Sequence, residues 1–175
     1  MTRLTVVVAI VLSVGTLRAS ADPDSRVRSS HPRLSRLLAE GQRRSSTFRD
    51  LVDRLHDSDL IVHVEAAPQG YPIDGGLQFV GATPLRRYLR ITVRTSLHNC
   101  DLMGLLGHEL RHAVEVADRR DVRDQSAFRA LYQRIGEPGH LVGNETYDTR
   151  AAVEAGLRVA LELRAAVSRP QPPAK

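Results

Sequence analysis

Two histidines four residues apart, His108 and His112, with the carboxylate Glu109 directly after the first, constrain this chain more than any other feature. Positions i and i+4 share one face of an α-helix, so a helix here carries two imidazoles to one point in space. Winding 101–118 at the helical period gathers Leu102, Met103, Leu106, Leu110, Ala113, Val114 and Ala117 on one side, the pattern of a core-facing stripe. His108, His112 and Glu115 gather on the opposite side. The histidine pair therefore stands away from the apolar stripe and is expected to face a cleft. Glu109 projects roughly 100° around the axis from His108, beside that point rather than onto it. Asp101 is the expected N-cap of this helix.

The run His108-Glu109-Leu110-Arg111-His112 resembles the active-site helix of the zincin metallopeptidases. The resemblance implies Zn2+ held by His108 and His112, with Glu109 as the general base that takes a proton from water. Arg111 departs from the pattern, placing a charge where that motif usually carries an uncharged residue. The departure motivates a second reading, a non-catalytic envelope protein that keeps the scaffold to bind metal or another protein.

Two histidines hold zinc weakly, and a catalytic site usually adds a third protein ligand and leaves one position open. Glu115 shares the histidine face but lies seven residues from His108, about 10 Å along the axis, too far to join both. It reads as a supporting carboxylate in the cleft. His140 lies in a loop, where it could act as a ligand or as a hydrogen-bond donor to the reacting oxygen. Glu145 and Asp148 begin the last predicted helix. The segment Tyr147-Asp148-Thr149-Arg150-Ala151-Ala152, running on to Gly156, is similar to one found in small bacterial proteins of the same motif, and that resemblance implies Asp148 as the ligand. With Asn144 as N-cap, Asp148 stands a full turn into the helix and Glu145 at its fraying start, so Asp148 is preferred over Glu145. Glu154 belongs to an i, i+4 charge ladder with Arg150, Arg158 and Glu162 and reads as solvated surface.

The 175 residues suit one compact domain. Residues 1–21 combine the basic start Met1-Thr2-Arg3, an apolar run from Leu4 to Val14 too short to span a bilayer, and Ala19-Ser20-Ala21 before Asp22. They read as a signal peptide, which places the remainder in a secreted or periplasmic setting with no stable membrane span. Without them the chain carries 23 basic and 20 acidic residues, the basic ones arginine except for Lys175. The charges are interleaved and no aromatic-basic platform stands out, so nucleic acid is not an expected partner. Cys100 is the single cysteine, which excludes an internal disulfide and a cysteine-based zinc site.

Periodicity divides the rest. Residues 22–32 are polar and read as a flexible lead-in to a domain over 33–167. Leu34, Leu37 and Leu38 suggest a short helix ending near Gly41, and Phe48, Leu51, Val52 and Leu55 a second over 47–56. Leu60, Val62 and Val64 alternate with Ile61, His63 and Glu65 as a half-buried strand does. A loop follows over 68–76, then a strand over 77–80 and a third over 88–94, available for edge pairing with an extended peptide. Helices are expected over 125–135 and 144–167, before a disordered proline-rich tail at 168–175. Helices, a small sheet and further helices make an α+β fold, and the zincin resemblance implies the minimal form of that domain. The expected activity is that of a secreted zinc-dependent hydrolase, a peptidase acting on peptide or protein substrates through a metal-activated water.

Overall fold

The computed structural model describes residues 25–138 and 147–167. The fold is α+β, with five helices and a small mixed sheet among the described residues. In chain order the elements are β1 (Val27–Arg28), α1 (Pro32–Arg44), α2 (Ser46–His56), β2 (Leu60–Ala66), β3 (Gly75–Ala82), β4 (Arg87–Val93), α3 (Asn99–Ala117), α4 (Gln125–Ile135), β5 (Glu137–Pro138), β6 (Tyr147–Asp148) and α5 (Arg150–Val167).

The four-stranded sheet has the order β1-β2-β4-β3. β1 and β4 run parallel to β2, whereas β3 pairs antiparallel with β4. Alternation decides which side is buried. Leu60, Val62, Val64, Leu89, Ile91 and Val93 face the helices and are buried, while Ile61, His63, Glu65, Tyr88 and Arg90 on the other face keep contact with solvent. β4 lies inside the sheet, so the strand expected to offer a free edge does not have one. The outer strands among the described residues are β1 and β3, because the chain turns through Thr83 and Arg86 and slots β4 between β3 and β2. The lead-in expected to be flexible is likewise ordered from Ser25, since Val27 and Arg28 pair with Val62 and His63 in β2.

α3 runs through the middle of the molecule. The predicted stripe is buried from Leu102 to Val114, with Ala117 at its margin. The helix starts at Asn99 with His98 as its cap residue, three residues before the expected cap. Asp101 instead lies in the first turn and pairs with Arg164 of α5 at 3.0 Å. Arg33 of α1 reaches the carbonyls of Thr95 and Leu97 and the Asn99 side chain, which fixes the approach to α3.

The far end of α3 is held by Arg87, whose side chain is fully buried. Its guanidinium makes two hydrogen bonds to Asp59, at 2.9 and 2.6 Å. Its Nη1 donates to the carbonyls of Val116, Arg119 and Val122, adding a charged donor to the turns where the helix ends. The paired charge satisfies its hydrogen-bonding groups and locks the start of β4 to the end of α3.

The histidine side of α3 does not open to a broad cleft, because α5 packs across it. Small residues let the backbones approach: a Cβ on Gly107 would meet Val159 at 2.8 Å, and one on Gly156 would meet the Gly104 carbonyl at 2.9 Å and His108 Cβ at 3.0 Å. Glu162, further along α5, caps the start of α2 through the Ser45 and Thr47 hydroxyls at 2.6 and 2.7 Å. No helix among the described residues is long and apolar enough to cross a membrane.

Candidate metal centre

Two elements supply the candidate ligands. α3 presents His108 and His112 one turn apart, with ring centroids 4.8 Å apart and planes at 81°. The third group is Asp148. It does not stand a turn inside the last helix as the sequence suggests, because that helix begins at Arg150 and Asp148 belongs to the two-residue strand β6. The physical cause is the cap. Thr149 accepts from the Ala152 N–H at 3.1 Å, so the helix starts after Thr149 rather than after Asn144. Asp148 is left just outside the helix, aimed at both imidazoles. Glu145, the competing acid, and His140 lie outside the described residues, as does Asn144.

The spacing is that of a metal site. Asp148 Oδ1 is 3.4 Å from His108 Nε2 and 3.6 Å from His112 Nε2. Metal–ligand bonds of about 2.0–2.2 Å in a tetrahedron separate the ligand atoms by roughly 3.3–3.6 Å. His108, His112 and Asp148 each offer one ligand atom, and all three lie within 4.8 Å of one another. This group can hold a metal ion. His112 is buried, whereas Asp148 is about half exposed, so the group opens to solvent on the Asp148 side.

A second set of contacts holds the ligands in place. His112 Nδ1 donates to Glu115 Oε2 at 2.9 Å, leaving Nε2 free to face Asp148. Glu115 Oε1 accepts from the Thr149 hydroxyl at 2.7 Å. The supporting role expected of Glu115 is thus realised by a direct bond. The sequence reading missed Thr149, although a threonine preceding Arg150-Ala151-Ala152 is a legible N-cap signal. Tyr132 stacks edge-on against His112 and donates to its backbone carbonyl at 2.9 Å. Its hydroxyl is therefore engaged in holding the helix rather than facing a substrate.

Glu109 is buried on the side of α3 that meets β3, where a Cβ on Gly75 would lie 3.0 Å from its Oε1. Burial pushes the Glu109 carboxyl up to about 7, and the negative charge of Asp148 adds to the rise against the pull of His112. Burial opposes the charge on His112 too, yet hydrogen bonds with Asp148 and Glu115 raise it to about 9. His108 is lowered, by burial first and by the neighbouring His112 second. The hydrogen bond from His112 holds Asp148 below the usual carboxylate range. Arg111 does not face the ligands. It lies on the α5 side of α3, with Nε 3.8 Å from Glu115 Oε1, so the unusual charge in the motif borders the supporting carboxylate and not the metal group.

Comparison of the chain with known protein families, with characterised proteins and with solved structures finds no match.

Proposed function

We propose that this protein is an exported zinc-dependent hydrolase of the zincin type that cleaves peptide bonds. The observation that carries the reading is the convergence of His108, His112 and Asp148 at metal-ligand spacing, with the buried carboxyl of Glu109 one residue from the first ligand. Two imidazoles and one carboxylate are a donor set suited to zinc in a hydrolytic site. Zinc bound there would supply Lewis acidity, polarising the scissile carbonyl and making water a stronger acid.

The chain's own residues supply the rest. Glu109, with its carboxyl near the operating pH, accepts a proton from water and returns it to the leaving amine. Glu115 keeps the His112 ring turned with Nε2 forward. β3 is an outer strand and passes beside Glu109 at Gly75, so an extended peptide can pair along the edge that no other described strand occupies and bring a carbonyl to the site. Gly75 leaves the space that any side chain would take from Glu109. Residues 1–21 are read as the export signal that directs the chain to a secreted or periplasmic setting and is removed from the mature protein.

The test uses residues 22–175, stripped with chelator and reloaded. Elemental analysis should find one zinc per chain, and a fluorogenic peptide library should be cleaved. Glu109→Gln should keep the zinc and lose turnover by on the order of 100-fold or more, the scale of general-base catalysis. Equal turnover by the variant and its parent removes Glu109 from the chemistry. Stoichiometric zinc without any cleavage favours the non-catalytic metal-binding reading.

A further inference from the structure

A second feature lies where α2, α3 and α5 meet. α2, α3 and α5 enclose an open groove of about 360 Å3, with Arg111 at its base, Arg54 and Asp50 on the α2 wall and Arg158 and Glu154 on the α5 wall. Its charged groups are unevenly satisfied. Glu154 is held by Arg150 at 2.8 Å, and Arg54 by Asp118 at 2.7 Å. Arg158 makes no hydrogen bond or ion pair among the described residues. The Nε of Arg111 is buried and has no hydrogen-bond partner, and its 3.8 Å separation from Glu115 is beyond hydrogen-bond range. A buried donor of a charged group left in this state is destabilising, and a ligand that satisfied the guanidinium would offset that cost.

We propose that this groove is a binding site for a small oxyanion, with Arg111 and Arg158 as its recognition groups. Guanidinium groups present paired N–H donors that match the two oxygens of a carboxylate or the edge of a phosphate. Leu51, Ala151 and Ala155 line the groove between the charges and limit competition from water. The volume falls at the low end of small-molecule sites, enough for one anionic group and a short attached chain. Asp50 sets a limit on charge: it opposes a second anionic group, so the fitting ligand carries one, as in a carboxylic acid or a phosphate monoester. Neither recognition group is one of the candidate metal ligands, although Arg111 borders Glu115, the carboxylate that supports His112.

The experiment follows the side-chain Nε–Hε resonances of Arg111 and Arg158 by NMR in 15N-labelled protein. The probes are sodium acetate and sodium phosphate, with sodium chloride at matched ionic strength as the reference. Saturable shifts of both resonances with acetate, phosphate or both are expected, and the anion that acts identifies the chemistry preferred. Arg158→Gln, a change on an exposed helix position, should weaken the midpoint roughly tenfold or more while the spectrum stays folded. Asp50→Asn should strengthen it. The proposal is overturned if chloride reproduces the shifts, if neither oxyanion gives a saturable response, or if Arg158→Gln responds like the parent.

Discussion

The hydroxyl of Thr149 donates to Glu115 Oε1 at 2.7 Å, joining the first turn of α5 to the last turns of α3. The same hydroxyl accepts from the Ala152 N–H, and the other oxygen of Glu115 accepts from His112. One buried carboxylate thus sets the orientation of His112 and the position of the residue after Asp148. Thr149→Val keeps the shape and removes the donor. It should lower zinc affinity by roughly 10–100-fold, the effect of losing support behind a ligand, without unfolding the chain. Competition against a fluorescent chelator measures it; an unchanged dissociation constant would show that the ligands hold themselves in place.

Asp148 and Glu145 can be separated by mutation. Asp148→Asn should weaken zinc by on the order of 100-fold or more, beyond the effect of any supporting residue, while Glu145→Gln leaves affinity near that of the parent. The reverse order of effects would move the third ligand to Glu145.

The crossing of α3 over α5 is close enough that a methyl group tests it. Gly156→Ala would set a Cβ 2.9 Å from the Gly104 carbonyl and 3.0 Å from His108 Cβ, where neither neighbour is the flexible end of a side chain. The helices must separate, at about 1–3 kcal/mol of stability, and His108 moves with them. Denaturant melts and zinc titration should both report the loss. A melt equal to the parent's would mean that the crossing has slack.

Protonation gives metal uptake a pH signature. In the metal-free protein His112 is raised from 6.5 to about 9, because Asp148 and Glu115 outweigh the burial that opposes its charge. A raised histidine stabilises the fold below pH 6.5, and that contribution disappears as pH rises through about 9. Zinc requires the neutral ring, so affinity should climb with pH across the same window and binding near pH 7.5 should release a proton. Calorimetry in buffers of different ionisation enthalpy counts that proton; a buffer-independent heat would contradict the assignment.

Asp59 adds an acid limit. Its hydrogen bond with Arg87 depresses the carboxyl below 3.8, so the stability it contributes is present above pH 3.8 and is lost as pH falls through the lower folded value. Arg87→Met removes the cation, takes from Asp59 its two guanidinium bonds and from three carbonyls their charged donor, and should cost about 3–5 kcal/mol in chemical melts. The cost should persist in Arg87→Lys, since an ammonium cannot reproduce the fork between Asp59 and the end of α3.

Local periodicity made most elements legible. The residues of α2, β2, β4, α3 and α4 alternate or repeat on schedule because each turns an apolar face to the core, and the structure places them within a residue or two of the expected bounds. His108 and His112 were readable for the same reason, as neighbours on one helix. What sequence could not carry was non-local. That β4 lies inside the sheet depends on where β3 turns back, and the cap at Thr149 won over Asn144 through its tie to Glu115, 34 residues earlier. The side of α3 expected to face open space is closed because Gly104, Gly107 and Gly156 admit a second backbone, and a glycine's absent side chain leaves no apolar period to count.

The three ligand atoms come from one helix and from a strand that lies 36 residues further along the chain than His112. No short stretch of polypeptide can therefore grip an ion before the tertiary structure has formed, unlike the compact loops of small metal-dependent domains. On the proposed reading, metal loading is the final act of maturation, and the supply of the ion would decide whether a molecule is competent without deciding whether it folds.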